Sequence, residues 1–263
     1  MEVAERSATK RQEKADSAKE GRMYGRSIFR IAAVAGWGVI AATIPARAAV
    51  FIDGSTQGLY NAGIGTLLNG TNPIVDDNGA STFLFPNNNS NPNDPTVNAP
   101  PEPDLSTAAT ALGNWLTDPA NPGGSWSAVP QAIPSTWTIN TETAIIYEID
   151  SGTTGLESVS AQFGIDNSIF VWLDGIFQGG QVRPGDVSLG ELTLSLGDLT
   201  PGPHFLQVLR EDHGNPTGYA VQVEGEPLTA VIPVPGAVGL MATALGVLGS
   251  LAAYRRRVAH NAL

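Results

Sequence analysis

The sequence predicts an all-β ectodomain over residues 49–230, folded as an antiparallel β-sandwich of jelly-roll-like type. The chain has 30 Gly and 19 Pro residues, and charged residues make up 15% of it, against about 25% in an average soluble domain. Short segments after Trp137 alternate apolar and polar residues, as half-buried strands do. Turn-forming residues separate these segments about every eight to twelve residues, which is typical of sandwich domains.

Charge and cysteine content exclude several classes of function. The chain carries 14 basic and 25 acidic residues, a net charge of −11, and it has no Cys. Residues 49–230 hold 20 of the acidic residues, no Lys and two basic residues, Arg183 and Arg210. We expect so acidic a domain to be repelled by nucleic acid and by anionic lipid. A chain without Cys forms no disulfide, no thiolate metal site and no Cys nucleophile.

The first half of the ectodomain is rich in Asn, Asp, Gly and Pro, which favour turns and interrupt long strands. We therefore predict only short elements there. A helix is expected to be capped by Asp104 or Ser106 and to bury one apolar face. The predicted strands are Val50–Asp53, Gly63–Leu68 and Ser81–Phe85, and the helix is Asp104–Leu116 with Leu105, Ala109, Leu112 and Leu116 on its buried face.

The second half shows a clearer strand pattern. Leu192, Leu194 and Leu196 share one side of a predicted strand, and most of the other segments alternate in the same way. The predicted strands are Ala144–Ile149, Ser158–Ile165, Ile169–Leu173, Ile176–Gly179, Glu191–Leu196, Phe205–Arg210 and Tyr219–Glu224.

One of these strands is apolar throughout. Ile169–Leu173 reads Ile-Phe-Val-Trp-Leu, which predicts a strand covered on both faces and places Trp172 in the core. The pair Asp174-Gly175 follows and predicts a tight hairpin. The segment from Phe163 to Gly175 resembles strand-turn-strand segments of galactose-binding-like and PA14-like carbohydrate-binding domains. Their calcium-holding pair of adjacent Asp residues has no counterpart in these strands, so no site is carried over.

The amino-terminal region has the composition of a secretory signal peptide over residues 23–48. Basic residues precede the apolar stretch Ile31–Ile44, and Ala46-Arg47-Ala48 forms a small-residue cleavage site before Ala49. We expect signal peptidase and the secretion machinery to act here. Residues 1–22 are predicted to be a disordered extension, with Met23 as an alternative start. A retained amino-terminal anchor is the alternative.

The carboxy-terminal region, residues 231–257, predicts a membrane-spanning helix. The uncharged stretch Ala237–Tyr254 would extend about 27 Å as a helix, which is just enough to cross a bilayer. Arg255, Arg256 and Arg257 follow directly and are expected on the cytoplasmic side, with residues 258–263 as a cytoplasmic tail. A plain single-pass anchor accounts for the same pattern.

The order of these carboxy-terminal features resembles a PEP-CTERM protein-sorting signal. Pro233-Val234-Pro235-Gly236 precedes the apolar helix, and the Arg cluster follows it. The resemblance implies export in a Gram-negative bacterium and recognition by an exosortase in the inner membrane. It also implies cleavage near the Pro-x-Pro element and delivery to the cell surface or an exopolysaccharide matrix. Val234 stands where the motif that names the family has Glu, as in the family's V-P-x-P variants.

A ligand contact is hypothesised at Trp126, which lies in a Gly-rich segment, and at Arg210, Asp212 and His213, where cationic, acidic and imidazole groups meet at a strand end. These types suit a sugar ring and its hydroxyl groups. The alternative interpretation of residues 210–213 is a solvated turn with a local Arg210 ion pair.

No catalytic residue and no cofactor are predicted. The run Asp76-Asp77-Asn78-Gly79 offers oxygen ligands for calcium but lacks the spacing of known calcium loops. The predicted function is that of a non-catalytic structural or adhesive protein of the cell surface or matrix. The alternatives are a carbohydrate-binding module for exopolysaccharide, and a polysaccharide hydrolase that depends on an acid such as Glu211 or Asp212.

Overall fold

A computed structural model describes residues 48–87, 95–214, 217–228, 243–251 and 255–257 of the chain. The regular structure of these residues is mainly β-strand, and the helical elements before residue 228 are short. In chain order the elements are β1 (Ala49–Ile52), β2 (Gln57–Gly65), β3 (Thr71–Val75), β4 (Ser81–Phe85), a 3-10 turn (Ser106–Ala108), α1 (Ala109–Leu112), β5 (Gln131–Ala132), β6 (Glu142–Asp150), β7 (Leu156–Asp166), β8 (Ser168–Leu173), β9 (Ile176–Val182), β10 (Leu192–Leu199), β11 (Pro203–Glu211) and β12 (Gly218–Pro227).

The strands form two large sheets and one hairpin, and the predicted all-β antiparallel fold is confirmed. The four-stranded sheet has the order β1-β12-β7-β10, and the six-stranded sheet has the order β5-β2-β6-β11-β8-β9. Strands β3 and β4 pair with each other. The pairings are antiparallel in each sheet.

The two large sheets pack face to face through one apolar core. Alternate residues of each strand enter this core, as expected for a sandwich. Phe163 on β7 and Val221 on β12 come from the four-stranded sheet, while Ile145 on β6 and Val208 on β11 come from the six-stranded sheet. All four side chains are buried.

The other face of the six-stranded sheet is covered by what we call the outer layer, the β3-β4 hairpin together with residues 95–127. A second apolar core lies between them. Leu84 and Phe85 of β4, Leu112 of α1 and Trp115 pack there with sheet residues such as Phe170. The six-stranded sheet is therefore buried on both faces.

Strand β8 confirms the prediction made from its continuous apolar sequence. All six of its residues are buried. Ile169 and Val171 belong to the core between the large sheets, whereas Phe170 and Trp172 belong to the core under the outer layer. Trp172 donates its Nε1 hydrogen to Glu102 Oε1 of the outer layer at 2.7 Å, which satisfies the one polar atom of this buried ring.

The amino-terminal half departs from the sequence predictions in several places. The predicted strand Gly63–Leu68 overlaps only the end of β2, because the chain turns at residues 66–70, and β5 was not predicted. Strand β3 was not predicted, because Pro73 and Asn72 disfavour a strand. Pro73 is tolerated because β3 has a single neighbour, β4, in a two-stranded sheet. The predicted helix Asp104–Leu116 is reduced to a 3-10 turn and four α-helical residues that end before Gly113.

The buried face of this helical segment also differs from the prediction. Ala108, Ala111 and Leu112 are buried, whereas Ala109 is exposed. The 3-10 start shifts the side chains around the axis relative to a regular α-helix. Asp104 Oδ1 accepts the backbone N–H of Ser106 at 2.9 Å. The predicted cap at Asp104 or Ser106 is nevertheless wrong, because Leu105 occupies the cap position of the 3-10 turn and no side chain caps it.

The predicted hairpin between β8 and β9 is confirmed. Asp174 and Gly175 both have positive φ, 50° and 78°, which is the two-residue turn that matches the twist of the paired strands. Asp174 also anchors the neighbouring strand: its Oδ1 accepts the backbone N–H of Phe205 at 2.8 Å, and its Oδ2 lies 2.6 Å from His204 Nδ1.

Several predicted features fall outside the described residues. These are residues 1–22, the signal peptide apart from Ala48, and the sorting motif Pro233–Gly236. Residues 243–251 and 255–257, the latter comprising the Arg cluster, are helical and exposed. Within the part of the chain that the structure describes, no helix has the length and apolar character needed to cross a membrane.

We predict that Gly175→Ala strongly destabilises the sandwich. A Cβ atom at this position would lie 2.2 Å from the Leu116 backbone oxygen, so the outer layer would have to move away from the hairpin. The expected loss of unfolding free energy is about 3 kcal/mol. The control is Gly152→Ala, which has a similar φ of +67° but nothing within 4 Å of its Cβ position. It should cost about 1 kcal/mol. Equal losses in urea unfolding would contradict the proposed close approach.

Candidate functional site

Strand β11 positions most of the candidate site residues. It lies between β6 and β8, and its residues alternate between the two cores. Leu206 and Val208 face the core between the large sheets, and Leu209 faces the outer layer. Because side chains alternate along a strand, Arg210 points towards the first core and Glu211 towards the second.

Arg210 is fully buried among aromatic rings. Its guanidinium carbon lies 4.3 Å from the ring centre of Trp137 and 4.6 Å from that of Tyr219, within the range of cation–π attraction. Its Nε donates to Thr143 Oγ1 at 3.1 Å, and its Nη1 donates to the Pro134 carbonyl oxygen at 2.9 Å. Burial lowers the pKa of Arg210 below its ordinary value, although tyrosine hydroxyl groups act in the other direction.

The predicted alternative of a solvated turn with an Arg210 ion pair is wrong. Arg210 is 0% exposed, Asp212 1% and His213 3%. The ion pairs found among the described residues are His204–Asp174 and His213–Glu211, and neither involves Arg210. The rings of Trp137, Tyr219 and Tyr60 take the place of an acid beside this cation.

On the opposite face of β11, buried polar side chains form a row across three strands. Arg210 pairs with Thr143 of β6, and Glu211 pairs with Ser168 of β8. Glu142, the residue before Thr143, therefore lies beside Glu211 on the same face. Glu142 is 1% exposed, and Glu211 and Ser168 are 0% exposed.

His213 lies at the end of this row and contacts the chain directly after strand β4. Its Nε2 contacts Glu211 Oε1 and lies 2.8 Å from the carbonyl oxygen of Pro86. Since a carbonyl oxygen can only accept, Nε2 carries the hydrogen of that bond. The backbone N–H of His213 donates to Asn167 Oδ1 at 2.7 Å. We call Glu142, Ser168, Glu211, Asp212 and His213 the acid–histidine cluster.

Burial shifts the protonation of two acids in the acid–histidine cluster. Loss of hydration, with the nearby charge of Glu211, raises the pKa of Glu142 to about 8. Loss of hydration also raises the pKa of Asp212 to about 7; Glu211 and Asp166 add to this effect, and the hydrogen bond from the Asn140 backbone opposes it. At neutral pH Glu142 therefore holds a proton that an exposed Glu would have lost.

Several oxygen atoms of the acid–histidine cluster are buried without a hydrogen-bond partner among the described residues: Glu142 Oε2, Glu211 Oε2, Asp212 Oδ1 and Ser168 Oγ. A buried oxygen without a hydrogen-bond partner costs folding free energy, so each such atom in a native structure calls for an explanation beyond packing. No group of three or more acidic, His or Cys side chains in the described ranges is arranged to hold a metal ion. The chemistry that this arrangement offers is the storage and release of protons.

The remaining candidates serve the structure. Trp126 is half-buried, with its ring stacked on Trp115 at 5.9 Å and its Nε1 donating to the Leu112 carbonyl oxygen at 2.9 Å. In the run Asp76-Asp77-Asn78-Gly79, Asp76 Oδ1 accepts the backbone N–H groups of Asn78 and Ala80 at 2.9 and 2.8 Å, which closes the β3-β4 turn.

Sequence reasoning grouped Arg210 with Asp212 and His213, whereas the structure places Arg210 on the other face of β11 among aromatic rings. It also missed Glu142 and Ser168. Glu142 was not considered because the predicted strand began two residues later, at Ala144. Ser168 was assigned to a turn. The position of Glu142 directly before an apolar strand could have indicated a site. An acid at the start of a buried strand must either be paired with another group or be protonated.

A groove lies on the outer side of the six-stranded sheet, beside β2, β6 and β11. Its volume is about 450 Å³, within the usual range for small-molecule sites. Glu148 and Gln57 are exposed, Phe205 is half-buried, and Val129 is 66% exposed at its rim. The lining combines apolar surface with one carboxylate, one amide and no basic side chain.

No protein-family model matches the chain, and no curated protein matches it. A GH2 β-galacturonidase from Eisenbergiella tayi, solved with galacturonate, aligns over 38% of this chain and 21% of its own at 16% identity, with a TM-score of 0.29. The PA14 sugar-binding domain of an RTX adhesin aligns over 67% of this chain and 93% of its own at 14% identity, with a TM-score of 0.25.

A GH31 α-xylosidase from Xanthomonas citri aligns over 66% of this chain and 19% of its own at 12% identity, with a TM-score of 0.22. The chain thus spans about a fifth of the length of each glycosidase. At these TM-scores the likenesses carry no conclusion about function.

We predict that Arg210→Lys destabilises the sandwich by about 2 to 3 kcal/mol. An ammonium group cannot donate to both Thr143 and Pro134 while lying flat against Trp137, and it is more strongly hydrated than a guanidinium. The matched control is Arg183→Lys, because the Arg183 side chain is exposed and its replacement should change stability by less than about 0.5 kcal/mol. Equal unfolding midpoints in urea for the two variants would show that the aromatic rings around Arg210 do not stabilise it.

Proposed function

We propose that this protein is exported, sorted by an exosortase, and displayed on the cell surface or in the extracellular matrix, where its jelly-roll-like sandwich acts as a non-catalytic structural or adhesive module. The observation that carries the proposal is the order of segments along the chain. A basic and apolar leader ends at Ala48, and an acidic module follows it. Pro233–Gly236, an apolar stretch and Arg255–Arg257 complete the order.

The composition of the sandwich supports an extracellular role. Residues 49–230 hold 20 acidic residues and no Lys. Of the two basic side chains, Arg210 is buried and Arg183 is exposed. Such a surface resists adsorption to nucleic acid and to anionic lipid. The acids best suited to chemistry, Glu211 and Asp212, are 0% and 1% exposed, so a polymeric substrate does not reach them in this conformation.

Processing at both ends is tested by the intact mass of the mature protein from its native host. We expect a chain that begins at Ala49 and ends near Pro233. Pro235→Ala should block the carboxy-terminal cleavage and leave the protein in the membrane fraction. Pro227→Ala, eight residues upstream at the end of β12, is the control and should be processed normally. A wild-type chain that extends to Leu263 would contradict sorting and indicate a plain membrane anchor.

The groove beside β6 favours a second candidate function, binding of a neutral saccharide such as a segment of exopolysaccharide. Phe205 supplies an apolar ring, and Gln57 and Glu148 supply groups that exchange hydrogen bonds with hydroxyl groups. Glu148 is the one charged side chain in the lining. An anionic sugar would therefore meet repulsion there and find no cation, which favours an uncharged ligand.

Saccharide binding is tested by blocking the groove. Val129→Trp should fill the rim and weaken binding of the neutral exopolysaccharide fraction at least about tenfold, measured by calorimetry on the processed protein. Val75→Trp is the control, because Val75 is similarly exposed, at 57%, but lies on β3 away from the groove. Equal affinities of wild type and both variants would exclude the groove as the binding site.

A further inference from the structure

We propose that the acid–histidine cluster is a proton-operated latch, which holds the β3-β4 hairpin of the outer layer on the six-stranded sheet and releases it in alkaline surroundings. This inference does not depend on the proposed function. It rests on two features: the chain segments that the cluster joins, and the buried oxygens of Glu142, Glu211 and Asp212 that lack partners among the described residues.

The acid–histidine cluster ties together four segments that are distant in sequence. His213 reaches Pro86 directly after β4, and its backbone N–H donates to Asn167 between β7 and β8. Asp212 Oδ2 accepts the backbone N–H of Asn140, which precedes β6, at 2.9 Å, and Asn140 Oδ1 accepts the N–H of Gly214 at 3.1 Å. The contact with Pro86 is the one by which the cluster reaches the β3-β4 hairpin.

Negative charge dominates the surroundings of the acid–histidine cluster. Glu142 comes from β6, Glu211 and Asp212 from the end of β11, and Asp166 from the end of β7, and all four are buried. Glu102 of the outer layer is bound to Trp172. His213 is the one imidazole in contact with these acids.

The nearest buried cation does not compensate these charges. Arg210 points to the opposite face of β11, where Tyr60, Trp137 and Tyr219 surround it. Its hydrogen bonds go to the neutral groups of Thr143 and Pro134. Glu142 and Asp212 therefore remain buried at low cost only while they hold protons.

The direction of the pH effect follows from the two raised pKa values. Glu142 titrates near pH 8 and Asp212 near pH 7 in the closed state, and both return towards ordinary carboxyl values near 4 when water enters. The closed state thus binds protons more tightly than the open state. Its advantage is complete below about pH 4 and is lost as pH rises through 7 to 8.

Water can reach the charged acids with the smallest structural change on the side of β11 that the outer layer covers. The four-stranded sheet lies on the other side of β11 and need not move. Strands β3 and β4 pair only with each other among the described strands, so release of this hairpin breaks no strand pairing of the large sheets. Residues 95–127 stay bonded to the six-stranded sheet, for example through Val97 and Val182, and release of the hairpin uncovers Phe170, which packs on Phe85.

The latch is tested by hydrogen exchange of the full chain between pH 6 and pH 9, with each rate divided by the intrinsic rate at the same pH. We expect protection of Thr71–Phe85 to fall at least about tenfold, as the loss of one stored proton allows. Protection of β7 and β12 should stay unchanged and serves as the internal reference for global unfolding.

Glu142→Gln removes this titrating group while keeping its shape, and should make the fall in protection at least about tenfold smaller than in wild type, leaving the part that Asp212 contributes. Glu148→Gln is the matched control, because Glu148 lies on the same strand but is exposed, and it should behave as wild type. If Glu142→Gln does not fold, Glu211→Gln provides the same test by removing the neighbouring charge. A wild-type fall that persists at full size in the folded variant, a flat wild-type profile, or equal losses in all strands would overturn the proposal.

Discussion

The six-stranded sheet is buried on both faces, and this double burial determines the rest of the architecture. One face packs on the four-stranded sheet, and the other requires the outer layer built from β3, β4 and residues 95–127. Strand β8 supplies apolar side chains to both sides, which is why its sequence has no polar alternation. The outer layer itself has little regular structure, and it is held largely by apolar contact with this sheet.

Double burial also explains the chemistry at the end of β11. When a strand buried on both faces ends in charged residues, each charge enters a core. Arg210 enters the core between the sheets and is accommodated by aromatic rings and two neutral hydrogen-bond acceptors. Glu211 enters the core under the outer layer, where Glu142 responds by holding a proton. Strand β11 therefore accommodates buried charged residues in two ways, by aromatic contact at Arg210 and by protonation of a neighbouring acid at Glu211.

The surface of the sandwich presents the opposite situation. Acidic side chains stay in water, and Arg183 is the exposed basic residue of the described range 48–228. Mutual repulsion among these acids favours solubility and discourages contact with anionic polymers. The groove beside Glu148 shares this character, since its lining holds one carboxylate and no cation. A surface of this charge disfavours anionic ligands relative to neutral ones.

The sequence by itself determined the features that depend on local pattern. The alternation of β10 and β12, the apolar run of β8 and the Asp174-Gly175 turn follow from neighbours along the chain, so they were predictable. The tertiary structure alone decided which charged groups meet. Glu142 and Glu211 lie beside each other because β6 and β11 pair, and His213 meets Pro86 because the outer layer folds back over the sheet. Strand pairing over long sequence separations is a property of the whole fold, and no local pattern records it.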